Sequence, residues 1–249
     1  MIDLKDLTIL IALKVDSQDR LNNLDITMDY LQSNLNTNIV ICEQDTTPKL
    51  KDRYNCKYIF KETNEFFNRQ RGVNLAAKAA DTPVVAHYDA DILLTPNQIK
   101  KATEVILGGK ATVVYPFDGH FYDVPKKYHS LIKEAKSTNM VDLNECIRFH
   151  TGSVGGAVFF DTNTFWKCGG ANENFKGLGY EDNEIFFRFK KLGCEFARIS
   201  GPLYHLNHVR LETSYNHNPH LESNRLELHR IGELSNEQLL KEIEGWNWK

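Results

Sequence analysis

The segment Val84-Val85-Ala86-His87-Tyr88-Asp89-Ala90-Asp91 is a mostly apolar run that ends in two carboxylates. A continuous apolar run is typical of a buried strand in a parallel sheet, and ligands of such sheets bind beyond the carboxyl ends of the strands. Asp89 and Asp91 would therefore face one ligand. Two adjacent carboxylates are costly unless a cation or ribose hydroxyls offset their charge, and Mg²⁺ or Mn²⁺ shared with substrate phosphates fits well. By itself, an Asp-x-Asp pair is a weak motif that more often belongs to a solvated loop.

The composition is that of an ordinary globular protein: 249 residues, 41% of them hydrophobic, with a formal net charge of −3. Nucleic-acid-binding proteins are usually basic, so no nucleic acid is expected as a partner. No apolar run reaches the ~20 residues of a membrane span, and the N-terminus lacks the pattern of a signal peptide. We therefore expect a cytoplasmic protein, or one bound peripherally at an inner membrane, whose five scattered cysteines are reduced core residues.

The first half of the chain alternates between apolar runs and helical patterns. This alternation predicts an α/β fold with parallel strands covered by helices on both faces. Neither Gly-x-Gly-x-x-Gly nor Gly-Lys-Ser/Thr occurs, which argues against a dinucleotide-binding dehydrogenase or a P-loop enzyme. A nucleotide would have to be held by a metal and by side chains. Strands are predicted at 7–13, 38–43, 57–60, 84–91 and 111–115, and helices at 21–35, 68–80 and 96–107.

The second half is less regular, and residues 117–128 match neither pattern. Strands are predicted at 155–160, 195–199 and 203–208, and two short helices in the tail. A glycine-rich loop precedes Glu181-Asp182-Asn183-Glu184, which begins a helix. Acidic residues in a first turn are favoured by the helix dipole alone. A glycine loop that delivers carboxylates to a cleft is also typical of an active site that closes over its substrate.

Five motifs occur in a fixed order along the chain, and together they resemble a known family. They are Phe66-Phe67-Asn68-Arg69, Asp89-Ala90-Asp91, Gly155-Gly156, Gly177-Leu178-Gly179-Tyr180-Glu181-Asp182-Asn183-Glu184 and His205-Leu206-Asn207-His208-Val209-Arg210. The series resembles the beta-1,4-galactosyltransferase family and its bacterial relatives among the GT-A glycosyltransferases. That family has Phe-Asn-Arg, Asp-Val-Asp, Gly-Gly, Trp-Gly-Trp-Gly-Gly-Glu-Asp-Asp-Asp and then a metal histidine. The resemblance extends over about residues 7–210.

The resemblance implies a GT-A-like fold with a mostly parallel central sheet. The expected organisation is a glycosyltransferase domain at 1–215, with a nucleotide-binding half to about 115 and an acceptor or catalytic half from about 116. A helical tail at 216–249 would follow.

The resemblance also implies the roles of individual residues. Asp182 would be the catalytic base and Glu181 its acceptor-binding neighbour. Asp91 would bind Mn²⁺ or Mg²⁺, supported by Asp89 and by His208, with His205 as the alternative histidine. The residues implied to bind the UDP-sugar donor are Arg20, Glu43, Asp45, Phe67, Arg69, Asp89 and Gly156.

The function implied is transfer of a hexose or N-acetylhexosamine, with galactose favoured, from a UDP-sugar to a saccharide acceptor. Lipid-linked saccharides are among the possible acceptors, and the pathway would be polysaccharide or oligosaccharide synthesis. One base and direct displacement imply inversion. The alternatives are a retaining enzyme, an inactive nucleotide- or sugar-binding protein on the same scaffold, and a nucleotidyltransferase. Lys176 and Leu178 replace the family's tryptophans, so the acceptor is expected to differ from the usual one.

Overall fold

A computed structural model of the chain describes residues 1–209, 211 and 215–249. Arg210, which ends the fifth motif, lies outside the described residues. The strands run in chain order as β1 (Ile2–Leu13), β2 (Leu35–Asp45), β3 (Lys57–Glu62), β4 (Val84–Tyr88), β5 (Ile92–Leu93), β6 (Val113–Tyr115), β7 (Phe121–Val124), β8 (Ile147–His150), β9 (Ala157–Asp161), β10 (Phe196–Arg198) and β11 (Leu203–Leu206).

Seven of the strands in the described part of the chain form a central sheet with the order β10-β6-β9-β4-β1-β2-β3. Neighbouring strands are parallel except at β9, which runs antiparallel to both β4 and β6. Every residue of β4 is buried, as expected for its continuous apolar run. The prediction of a mostly parallel α/β sheet is confirmed.

The helices are α1 (Gln18–Asn34), α2 (Arg69–Lys78), α3 (Pro96–Leu107), α4 (His129–Ala135), α5 (Thr162–Lys167), α6 (Glu181–Lys191), α7 (Leu221–Glu233) and α8 (Asn236–Glu244).

The strand order reverses at β1, because β2 and β3 lie on one side of it and β4 on the other. Since crossovers between parallel strands are right-handed, α1 and α2 cover opposite faces of the sheet. Local chemistry fixes the helix starts: Thr95 and Gln98 form a capping box around Pro96, the predicted first residue of α3.

A second sheet, with the order β5-β11-β7-β8, lies beside the first and was only partly predicted. The predicted strand at 203–208 corresponds to β11, whereas β7 falls in the segment that matched no pattern. The strands are short, and every residue of β8 is exposed. This sheet encloses its own apolar cluster, which includes Leu93, Val124 and Leu206.

The C-terminal helices α7 and α8 follow the glycosyltransferase-like part of the chain, in the region predicted as a helical tail. Ile231, Leu239, Ile243 and Trp246 form a separate buried cluster there. The boundary at residue 215 remains a prediction, because α7 packs directly against α6. No helix among the described residues is both long and apolar enough to cross a membrane.

Gly156, at the start of β9, has a backbone φ of +90°. A Cβ atom built there would lie 2.7 Å from Leu203 Cδ1 and 3.1 Å from Phe121 Cε2. Gly156→Ala should therefore combine backbone strain with overpacking and lower the free energy of unfolding by about 2–4 kcal/mol in urea denaturation.

Gly109→Ala is the matched control for this substitution. Gly109 has a φ of +65°, and the described residues place no heavy atom within 4 Å of a Cβ built there. Its variant should lose only the backbone contribution, about 1 kcal/mol. If the two variants lost the same free energy of unfolding, the close approach of Leu203 and Phe121 to Gly156 would add no cost.

Candidate active site

A cleft lies at the carboxyl ends of β1 and β4, where the strand order of the central sheet reverses. Ligands of open α/β sheets bind at such positions. Both aspartates of the opening motif line it, in the place that the sequence predicts. The lining residues are Ala12, Leu13, Lys14, Arg20, Phe67, Arg69, Asp89, Ala90, Asp91, Phe121, Leu178, His205 and His208.

Asp91 and two histidines form a buried cluster on one side of the cleft. His208 Nε2 lies 3.0 Å from Asp91 Oδ2, and His205 Nε2 lies 3.8 Å from Asp91 Oδ1. One donor atom from each of the three residues falls within a group no wider than 4.8 Å. Arg20 Nη1 is 3.6 Å from Asp91 Oδ2. The spacing allows one cation to be bound by the carboxylate and both imidazoles.

Strand register brings these residues together. In the second sheet, β11 pairs with β5 so that His205 lies opposite Ile92, next to Asp91. On its other side β11 pairs with β7, which places His205 opposite Asp123. Asp123 is buried, and its Oδ1 lies 2.7 Å from His205 Nδ1. The sequence analysis did not identify Asp123; the available signal was a carboxylate inside the short apolar run 121–124.

The hydrogen bonds of the imidazoles fix which nitrogen faces Asp91. His208 Nδ1 lies 2.7 Å from the Val209 carbonyl oxygen, and His205 Nδ1 faces the Asp123 carboxylate. These oxygens only accept, so each Nδ1 carries a hydrogen. In a neutral imidazole Nε2 then presents a lone pair to the Asp91 oxygens, which is repulsive unless a proton or a cation lies between them. The cluster therefore fits a metal ion, with the outer oxygens orienting the ligands.

Electrostatics at Asp91 favour its charged form. Burial alone would raise the pKa of Asp91, but His205 and His208 in their protonated form, together with Arg20, hold that pKa well below its usual range. A charged carboxylate and two imidazole nitrogens suit a transition metal such as Mn²⁺ better than Mg²⁺, which prefers oxygen ligands.

Arg69 organises the other side of the cleft. Its Nη1 donates to Asp89 Oδ1 at 2.8 Å, and its Nη2 donates to Glu181 Oε1 and Asp182 Oδ1, both at 2.6 Å. Arg69 is 4% exposed, so this guanidinium and its three carboxylates form a mostly buried charge cluster. Its carboxylates come from two motifs that are about 90 residues apart in the chain.

Two helix starts place the charges of this cluster. Asn68 caps α2 by accepting from Arg71 N at 2.9 Å, which sets Arg69 in the first helical turn. Glu181 and Asp182 are the first residues of α6, where the helix dipole favours negative charge. Gly155 leaves room for Asp182, since a Cβ built on Gly155 would lie 2.6 Å from Asp182 Oδ2.

Burial raises the pKa of Asp182 to about 7, because ionisation costs more where water is excluded. The Arg69 charge opposes this shift, whereas the charges of Glu181 and Asp89 add to it. A carboxylate with a pKa near neutrality matches the requirement for a general base at the same pH.

The glycine-rich loop before α6 is fixed at several points. Glu181 Oε2 accepts from Gly179 N at 2.5 Å. Two asparagines that flank the start of α7 also hold this loop. Asn218 Nδ2 donates to the Lys176 and Leu178 carbonyls at 2.7 and 2.9 Å, and Asn224 Nδ2 donates to the carbonyls of Lys176 and Gly179 at 3.0 and 3.1 Å. The sequence analysis did not identify these asparagines.

Comparison with protein families places the chain. The family model described as glycosyl transferase family 2 matches residues 32–163, more than half of the chain. The chain belongs to glycosyl transferase family 2. A second family model, described as the N-terminal domain of galactosyltransferase, matches residues 137–212. The resemblance inferred from the motifs is thereby confirmed.

Two solved structures of Drosophila beta-1,4-galactosyltransferase 7 are similar to this family 2 chain. One is of the catalytic domain and the other is of a mutant. One is a complex with xylobiose, and the other, of the mutant, is a complex with manganese, UDP-Gal and xylobiose. Each has 16% sequence identity and a TM-score of 0.48, with 80% of this chain and 65% of the other covered. The chain thus spans 65% of the length of these proteins. A comparison with curated protein sequences finds no match.

The residues predicted to bind the donor in this family 2 protein fall into two groups. Arg20, Phe67, Arg69 and Asp89 line the cleft. In the described part of the chain, the lining does not include Glu43, Asp45 or Gly156.

Glu43 and Asp45 instead hold the loop after β2. The Glu43 carboxylate accepts from the backbone N–H groups of Lys49 and Leu50, each at 3.1 Å, and from the Tyr58 hydroxyl at 2.5 Å. Asp45 accepts from Lys49 Nζ at 2.7 Å. Gly156 packs against the second sheet. A donor contact for these three residues remains a prediction.

Removing the Arg69 charge should destabilise this family 2 protein strongly. Arg69→Met leaves three carboxylates without their shared cation, and loss of one partner from a buried ion pair costs about 3–5 kcal/mol. We expect a loss of that size in urea denaturation at pH 8. The loss should be smaller at pH 5, where the raised pKa values of Asp89 and Asp182 favour protonation of these carboxylates.

Arg71→Met, two residues further along α2, is the matched control. Arg71 is only partly buried and pairs with the exposed Glu65 as well as with Glu173, and solvent-exposed pairs contribute about 0–1 kcal/mol. If both variants lost the same stability, Arg69 would not be neutralising a buried cluster.

Proposed function

We propose that the protein is a metal-dependent glycosyltransferase that moves a hexose or N-acetylhexosamine from a UDP-sugar to a saccharide acceptor with inversion. One observation carries the proposal: both charge clusters line or adjoin a single cleft. Asp91 and its two histidines line one side, and Arg69, which binds Asp182, lines the other. Ala90 alone separates Asp91 from Asp89, so the two clusters are covalently adjacent.

Asp91, His205 and His208 would hold the metal ion, with Asp123 and the Val209 carbonyl orienting the imidazoles. A bound Mn²⁺ would supply positive charge against the charge that develops on the diphosphate leaving group. Arg20, which faces the same carboxylate, adds a fixed positive charge at this edge of the cleft. Asp89 is directed to Arg69, so its proposed role is to support the donor site from the other side.

Asp182 would take the proton from the acceptor hydroxyl as that oxygen attacks the anomeric carbon. General-base catalysis of this kind typically accelerates a reaction by ~10²–10⁴-fold. Arg69 fixes the carboxylate in place, and its charge keeps the pKa of Asp182 from rising further. Glu181 is bonded to both Arg69 and the Gly179 N–H, so it ties the base to the glycine-rich loop. A single candidate base, held by Arg69 on the side of the cleft away from the proposed metal site, supports direct displacement with inversion.

A galactose-type donor is favoured because a galactosyltransferase family model matches the part of the chain that includes both histidines. Phe67, at the cleft wall, is the proposed contact for the uracil ring. Leu178 also lines the cleft, in a position where the resembling family has tryptophan. We therefore propose a saccharide acceptor that is not held by an indole platform, in the synthesis of a polysaccharide or oligosaccharide.

The first test of this function is UDP release from UDP-galactose and other UDP-sugars with Mn²⁺, with and without EDTA. Asp91→Asn should abolish turnover while the protein stays folded, because an amide binds the cation far less well than a carboxylate. UDP should raise the melting temperature of the wild-type protein more with Mn²⁺ than in EDTA, and this difference should vanish in the variant.

Asp25→Asn serves as the control, since Asp25 pairs with Arg53 away from the cleft. It should keep the metal-dependent response. Equal UDP stabilisation in EDTA and in Mn²⁺ would rule out the metal site. Metal-dependent UDP binding without turnover on any donor and acceptor tested would favour the inactive binding protein.

The second test concerns the base. Asp182→Asn keeps the shape of the side chain and an oxygen for Arg69, but it removes the ionisable group. We expect kcat to fall by ~10²-fold or more with UDP-sugar affinity nearly unchanged, because the lost interaction belongs to the transition state. In the wild-type enzyme the base must be ionised, so kcat should rise with pH and level off above about pH 7.

The Asp182→Asn variant should show no increase of kcat with pH. If Asp182 only stabilises the first turn of α6, its loss would cost about 0.3–1 kcal/mol of stability and leave kcat unchanged. Melting temperature and kcat measured on the same preparation separate these roles.

A further inference from the structure

Cys168 and Cys194 lie outside the cleft, and their sulfur atoms are 3.5 Å apart. A disulfide has an S–S distance of about 2.0 Å, so the two sulfur atoms must approach each other by about 1.5 Å to form the bond. The residues are 26 positions apart in the sequence, and no Cys-x-x-Cys motif signals the pair. The sequence analysis had interpreted all five cysteines as small core residues.

The backbone holds both cysteines in place. Cys168 ends α5, where its N–H donates to Thr164 O at 2.9 Å and its carbonyl accepts from the Arg188 guanidinium. Cys194 follows α6, and its N–H donates to Phe189 O at 3.0 Å. The two sulfur atoms are therefore held close together at the C-terminal ends of α5 and α6.

The two thiols differ in environment. Cys168 is 5% exposed, whereas Cys194 is partly exposed. A hydrogen bond from the Cys168 thiol lowers the pKa of Cys194, with help from Thr112 and the Arg188 charge. The same hydrogen bond, with burial, raises the pKa of Cys168. A partly exposed cysteine with a lowered pKa beside a buried thiol is the arrangement of a reactive cysteine with a resolving partner.

We propose that Cys168 and Cys194 are a reversible redox modification site that takes a low-molecular-weight disulfide as oxidant. The Cys194 thiolate attacks one sulfur of the oxidant, forms a mixed disulfide and expels one thiolate. Cys168 then gives up its proton and attacks the Cys194 sulfur, which forms the internal disulfide and expels the second thiolate. The two cysteines are oxidised, one oxidant molecule is reduced to two thiols, and the two cysteine protons end on those thiols.

The disulfide would connect the end of α5 to the end of α6, and it would close a loop that includes the glycine-rich segment and Asp182. Such a constraint stabilises the fold mainly by restricting the unfolded chain. Because Asp182 is at the opposite end of α6, oxidation should leave turnover within about twofold of the reduced enzyme, as the sulfur atoms already lie close.

The experiment treats the folded protein with glutathione disulfide and counts free thiols, with peptide mapping by mass spectrometry. Wild-type protein should fall from five thiols to three, with a single Cys168–Cys194 peptide and the loss of two hydrogen atoms. Its melting temperature should rise by about 5 °C or more, and a reducing agent should reverse the change.

Cys168→Ser, Cys194→Ser and Cys146→Ser are the matched variants. Cys146 is also partly exposed but has no thiol partner in the described residues, so its variant should still form the disulfide. Cys168→Ser should stop at the glutathione adduct on Cys194, and Cys194→Ser should show neither product at this pair. A wild-type protein that keeps all five thiols, or that keeps glutathione on Cys194 without closing the disulfide, would overturn the proposal.

Discussion

A single guanidinium joins three segments that are far apart in the chain. Arg69 from α2 binds Asp89 after β4 and both Glu181 and Asp182 at the start of α6. Three carboxylates converging in a mostly buried site would repel one another and lose hydration, so their common position depends on this cation. The geometry of the proposed base is thus a consequence of charge neutralisation by Arg69 rather than of the glycine-rich loop alone.

In the neighbouring cluster, the carboxylate of Asp91 is surrounded by groups that can carry positive charge. Asp91 lies two residues from Asp89, yet it faces imidazoles and Arg20, which hold its pKa low, whereas burial raises the pKa of Asp182 to about 7. Two carboxylates whose pKa values are shifted in opposite directions can serve different chemical roles within one site. One carboxylate remains an anion suited to binding a cation, and the other can exchange a proton near neutral pH. The Asp-x-Asp segment connects the two clusters, because Asp89 pairs with Arg69 whereas Asp91 faces His205 and His208.

Much of the fold follows from local patterns in the sequence. The apolar run from Val84 and the proline at position 96 are local signals. They predict β4, which ends at Tyr88 rather than at Asp91, and the start of α3. Arg69, Asp182 and His208 could be named from motifs. Asp123 could not, because its pairing with His205 depends on the register between β11 and β7, which no short pattern encodes. The proximity of Cys168 to Cys194 likewise arises only when α5 and α6 pack on the same sheet.

The role of the glycine-rich loop changes once its contacts are considered. The sequence suggested that Gly177 and Gly179 allow closure. A Cβ on Gly179 would lie 2.5 Å from Leu221 Cδ1, so this glycine also permits close packing of α7. Asn224 is buried and bonds to the carbonyl of Gly179. Moving the loop alone would leave buried polar groups unsatisfied, at about 1–3 kcal/mol for each. Closure over a donor would therefore be less costly if α7 moved together with the loop, which couples the C-terminal helices to the proposed base through Glu181.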